Sequence, residues 1–194
     1  MAGRKNDKRE RLVQAALETF YVKGIARSTL ADVAQRAEIK LGNVYYYFKT
    51  KELLLEAVLK RHQTVLSDEL AMIEAAHPQA PLERLTLFLE RRLPLAKMMS
   101  TYGCPHGSIS GEVRKTGAFQ TDGAVDLVET YTAWLEAQFE ALGADSPRTW
   151  ALEVLTVIQG GIVVAQAYED PSLLEAQLAR LQDRLQHQWG QPTT

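Results

Sequence analysis

From Asp7 to Lys23 the apolar residues Leu12, Val13, Ala16, Leu17, Phe20 and Tyr21 recur at intervals that place them on one face of a helix, and Gly24 supplies a stop. Ser28-Thr29-Leu30-Ala31-Asp32 then offers a threonine N-cap with an acid three residues later, a capping-box variant opening a short second helix that buries Leu30, Val33, Ala34 and Ala37. A turn at Glu38-Ile39-Lys40 leads into LGNVYYYFKTKE, residues 41 to 52, which predicts a short third helix. Successive helical positions lie about 100° apart, so Tyr45, Tyr46, Tyr47 and Phe48 cannot all face one core, and at least two rings must look outward. Phe48 and Val44 are the expected inward pair.

Beyond residue 50 the pattern stays helical. Lys51 to about Ala76 predicts one long helix, on the order of 38 Å at about 1.5 Å per residue. Pro78 and Pro81 break it, and a helix from Leu82 to about Met99, kinked at Pro94, is expected next. STYGCPHGSISGEV, rich in glycine, predicts a bend plus a short helix, and three further helices are expected at Ala118 to Leu142, Pro147 to Tyr168 and Pro171 to Trp189. The expectation is an all-α chain: a three-helix head, residues 1–50, and a helical body, residues 51–194.

Two short helices joined by a tight turn, with a helix packed before them, describe a helix-turn-helix, whose second short helix enters the DNA major groove. Charge agrees with that geometry. The net charge is only −2, but residues 1–60 hold 12 Lys and Arg against 7 Asp and Glu, leaving the rest of the chain at −7. A basic head on an acidic body suits a protein with one end on a polyanion.

STLADVAQRA followed closely by GNVYYYFKTKELL resembles the N-terminal domain of TetR-family (tetracycline-repressor-like) transcriptional regulators over about residues 9–60. The resemblance implies DNA contacts at Thr29, Lys40, Gly42, Asn43, Tyr45, Tyr46, Tyr47 and Lys51. It also implies a small-molecule effector held in the body, C-terminal helices that form a homodimer, and release of a palindromic operator when the effector binds. The chain departs from the family pattern at Glu38, where glycine is common, at Lys40, where a Ser or Thr cap is common, and at Leu41, where polar residues are usual.

No phosphate-binding loop, dinucleotide fingerprint or HExxH motif occurs, and Gly107-Ser108-Ile109-Ser110-Gly111 has Ile109 where a nucleophile elbow needs serine. A non-enzyme without cofactor is expected, with a small helical enzyme as the more distant alternative. Among the aromatic and polar residues of the body, Phe88, Met98, Tyr102, Tyr131, Trp134 and Gln159 are the candidate effector lining; packing in a core is the alternative for each. Cys104, the single cysteine, beside His106, is either a buried thiol or a redox or electrophile sensor. With a single cysteine that allows no disulfide framework, no signal-peptide pattern, and no stretch approaching the roughly 18 apolar residues of a membrane span, the chain is expected in the cytoplasm.

Overall fold

The computed structural model describes residues 2–116 and 123–190, with the side chains of 2–6, 116 and 123–126 outside the description. In chain order the helices are α1 (Ala2–Lys23), α2 (Leu30–Arg36), α3 (Leu41–Tyr47), α4 (Lys51–Ala76), α5 (Pro81–Glu90), a 3₁₀ turn (Leu93–Leu95), α6 (Ala96–Tyr102), α7 (Pro105–Thr116), α8 (Gly123–Ala141), α9 (Pro147–Tyr168) and α10 (Pro171–Trp189). No strand occurs among the described residues, so the all-α expectation holds.

The chain packs as two compact units, one of residues 1–65 with 106–127, the other of 66–105 with 128–194. In the first, the stripe expected of α1 is inside: Leu12, Val13, Ala16 and Phe20 are buried, together with Val33 and Ala34 of α2, Val44 of α3 and Leu54, Leu55 and Val58 of α4. In the second, Ala151, Val154, Ile158, Ile162 and Ala165 of α9 meet Leu174, Leu178, Leu181 and Leu185 of α10, two stripes at three- and four-residue spacing. Gly161 lets those helices approach, since a Cβ there would stand 3.1 Å from a Leu174 methyl.

Three boundaries differ from the sequence reading. The first helix starts at Ala2 rather than Asp7. The expected helix from Leu82 to Met99 is broken rather than kinked. Pro94 has no N–H to give the Glu90 carbonyl and its ring would collide with that group, so α5 ends at Glu90 and the helix resumes only at Ala96, after the 3₁₀ turn. The bend after Tyr102 is Gly103 at φ +85°, and the helix beyond it, α7, runs for 12 residues. The first residues of the expected Ala118–Leu142 helix, through 122, and Phe119 with them, lie outside the described residues.

Thr29 caps α2 as its spacing requires. Its hydroxyl accepts from the Asp32 N–H at 3.1 Å, and an Asp32 carboxylate oxygen accepts from the Thr29 N–H at 2.8 Å. A hydrogen bond from Lys23, then those from Thr29, hold the Asp32 carboxyl well below the usual carboxylate range. Thr29→Ala removes the cap acceptor and should cost about 1 kcal/mol of stability, read by chemical denaturation of the first unit.

Candidate nucleic-acid interface

The turn between α2 and α3 passes through Glu38. Glu38 sits at φ +55°, in the left-handed region that a side chain disfavours. That conformation lets the Ile39 N–H return to the Ala34 carbonyl at 2.9 Å, and Ile39 is then buried beneath the turn. Lys40 follows as the first residue outside α3, with no side-chain cap bond and an exposed side chain.

Only Val44 of α3 is buried, fully, and Phe48 lies just past the helix in extended backbone at φ −134°, also buried. Arg9 of α1 stands over the Phe48 ring at 5.2 Å. The inward pair is thus Val44 and Phe48, although Phe48 turns in through the helix end rather than from its side. With those two fixed, the opposite surface is determined: Lys40, Leu41, Gly42, Asn43, Tyr45 and Tyr46 are all exposed, Tyr45 at 51% and Tyr46 at 62%. Tyr47 is half-buried and meets Tyr46 edge to face at 5.0 Å, so one ring steadies the other. Around Gly42 a Cβ would meet open space, which leaves the backbone of the first turn approachable.

The remaining expected contacts are placed differently. Thr29 is exposed, but its hydroxyl proton goes to Asp32 at 2.7 Å. Lys51 is half-buried, and its ammonium donates to the Ile25 and Ser28 carbonyls at 2.5 and 2.9 Å. Lys51 therefore holds the α1–α2 loop. Lys49, beside the tyrosines in sequence, is exposed at the end of the same segment.

In the second unit three of the candidate effector residues come together. Phe88 lies 5.9 Å from Tyr131 and 5.4 Å from Trp134, ring centre to ring centre, and the Trp134 indole donates to Glu74 at 2.9 Å. Burial pushes the Tyr131 hydroxyl pKa above its ordinary value, so it stays protonated through neutral pH. Sequence reasoning missed Arg92, which is buried at 6% exposure with its guanidinium 3.8 Å from the Phe88 ring centre. Adjacent arginines, Arg91 and Arg92, read as surface charge; only the fold shows that one of them turns inward. Met98 and Tyr102 stand on an exposed part of α6, and Gln159 donates to the Cys104 sulfur at 3.3 Å. Cys104 is buried. No group of three or more metal-ligating side chains occurs among the described residues.

A short helix presenting lysine, asparagine and tyrosine tips outward, seated on two packed helices, defines a helix-turn-helix protein. Residues 12–58 match the family of tetR bacterial regulatory proteins. Among curated relatives, the chain is 30% identical over 94 residues to the HTH-type transcriptional regulator BetI 1 of Chromohalobacter salexigens, covering 48% of this chain and 46% of that one. It is 40% identical over 57 residues to the HTH-type transcriptional regulator TtgR of Pseudomonas putida, covering 29% and 27%. These matches span less than half the length of either relative. Solved structures extend the likeness of fold to the body: a TetR transcriptional regulator from Legionella pneumophila, TM-score 0.78 at 23% identity over 90% of this chain and 95% of that one, and E. coli NemR in its reduced form, TM-score 0.76 at 20% identity over 91% and 97%. Residues 12–58 thus belong to the N-terminal domain of the TetR family, and the chain as a whole shares the fold of these solved regulators.

Proposed function

We propose that the protein is a homodimeric repressor that holds a palindromic operator through α3 and leaves it when a small molecule occupies the body. The observation that carries this reading is the outward face of α3, where Lys40, Asn43, Tyr45 and Tyr46 stand exposed around an open glycine. Lysine suits phosphate, asparagine can pair with an adenine edge, and a tyrosine tip donates to either. Leu41 suits a thymine methyl. On this reading Gly42 admits the sugar-phosphate backbone, while Thr29, Tyr47 and Lys51 support the surface more than they cover DNA.

Dimerisation is supported by α9. It is long and apolar enough to cross a membrane by length and composition alone, yet only 33% of that apolar window is buried. Leu152, Val163, Val164 and Tyr168 are exposed along it. A second copy would cover this face, and two half-sites one helical turn apart require two heads. For the effector, Phe88, Tyr131 and Trp134 with the buried Arg92 form the candidate wall, with Met98, Tyr102 and Gln159 on neighbouring helices. The alternative of a sensor thiol has less support, because Cys104 is buried and already hydrogen-bonded.

Titrating a fluorescent duplex at several salt concentrations tests the reading. The affinity should fall steeply, log K against log salt having a slope near −0.9 for each phosphate neutralised. Lys40→Ala should flatten that slope by about one contact, and Tyr46→Ala should weaken binding by about 1 to 3 kcal/mol if it reaches a base edge. Unaltered binding in both variants would remove α3 from the interface.

A further inference from the structure

The loop from Gly24 to Thr29, which feeds the chain into the cap of α2, is gripped from two sides. Lys51 takes the carbonyls of Ile25 and Ser28. Opposite in chemistry, the Glu112 carboxylate of α7 accepts the N–H groups of Ile25 at 2.6 Å and of Ala26 at 3.3 Å. Both backbone groups of Ile25 are therefore fixed by side chains from distant helices. Gly24 gives a second, independent sign of the fit: at φ +80°, a Cβ there would lie 3.0 Å from a Glu112 oxygen, so the carboxylate fills the space a side chain would need.

Glu112 comes from a part of the chain that a head of residues 1–50 does not contain. Residues 106–127 pack with residues 1–65, although they follow α6 in sequence, and only Gly103 and Cys104 separate α6 from α7. We infer that Glu112 is a positioning residue for DNA binding: by seating the α1–α2 loop it sets where Thr29 starts α2, and hence how the α2–α3 pair meets a duplex. It touches no phosphate and supplies no base contact. The inference rests on the DNA-binding reading proposed above.

Two substitutions separate reach from charge. Glu112→Asp keeps the carboxylate but is one methylene shorter, and Glu112→Gln keeps the reach and one acceptor oxygen while losing the charge. With the full chain and a duplex recovered by selection on the parent protein, Glu112→Asp should bind about tenfold more weakly, within the usual 5- to 150-fold range of coupling between sites. Its salt slope should be unchanged, because no phosphate contact is lost. Glu112→Gln should bind within about threefold of the parent. Amide exchange at Ile25 and Ala26 should quicken in Glu112→Asp and stay slow in Glu112→Gln. Parental affinity in Glu112→Asp, an altered slope, or an equal loss in Glu112→Gln would overturn the assignment. A parent that binds no duplex would defeat the DNA-binding reading instead, and the exchange measurement would still decide whether Glu112 holds the loop.

Discussion

Glu69→Ala is expected to destabilise the unit of residues 66–105 and 128–194 by about 3 kcal/mol. The reason is Arg92. Its guanidinium cannot shed its charge, is 6% exposed, and faces the Phe88 and Tyr131 rings at 3.8 and 5.8 Å. Glu69 is its acidic partner, at 3.1 Å, and is shared with Arg91 at 2.9 Å. Removing the carboxylate leaves a cation in an aromatic surround. The cost falls at the lower end of the usual 3 to 5 kcal/mol because the Phe88 carbonyl still accepts from Arg92 at 2.7 Å, and because Glu69 is 20% exposed, so water can enter. Replacing both partners, Glu69→Leu with Arg92→Met, should recover most of the loss, since no buried charge remains. Tryptophan fluorescence in a denaturant series reads this unit alone, because Trp134, Trp150 and Trp189 all lie within it. A loss below about 1 kcal/mol would mean that Arg92 is compensated elsewhere.

The other unit should lose stability in mild acid. His62 of α4 is buried against the His106 ring, 4.8 Å centre to centre, and burial pushes its pKa down from 6.5 to about 4. In the unfolded chain this group takes its proton near pH 6.5; in the folded protein it stays neutral until about pH 4. The stabilisation is therefore complete above pH 6.5, declines as pH falls, and has gone below about 4, a change of about 3 kcal/mol at most. Asp32 acts in a lower window, because its contribution persists until pH falls through the ordinary carboxylate range. Amide exchange in α1 and α2 between pH 4 and 6.5 measures the effect, and His62→Leu should flatten it. An equal pH dependence in His62→Leu would assign it to other groups.

What could be read from the sequence was what depends on near neighbours. Thr29 and Asp32 are three residues apart, and their cap formed as the spacing required. The division of the aromatic run followed from helix geometry, and the stripe of α1 was plain in its periodicity. Pro94 was visible, yet whether it bends or breaks a helix depends on what packs around it, and here the chain turns. The αL conformation of Glu38 left no mark in the residue itself. Contacts that cross long stretches of chain were not legible at all: Lys51 meets Ile25 from 26 positions away and Glu112 meets it from 87. From the sequence Lys51 reads as a phosphate ligand beside α3, and nothing local shows that its ammonium stands on the Ile25 and Ser28 carbonyls. The buried Arg92 was hidden for a related reason, because arginine enters an interior only when the fold brings it a partner.

Selection from a random duplex pool tests whether α3 reads DNA. It should enrich an inverted repeat whose half-sites lie about one helical turn, roughly 34 to 36 Å, apart, with enrichment lost when Tyr46 and Lys40 are both replaced by alanine. Recovery of no common sequence, or of one that the double variant selects equally well, would contradict the assignment of α3 as the recognition helix.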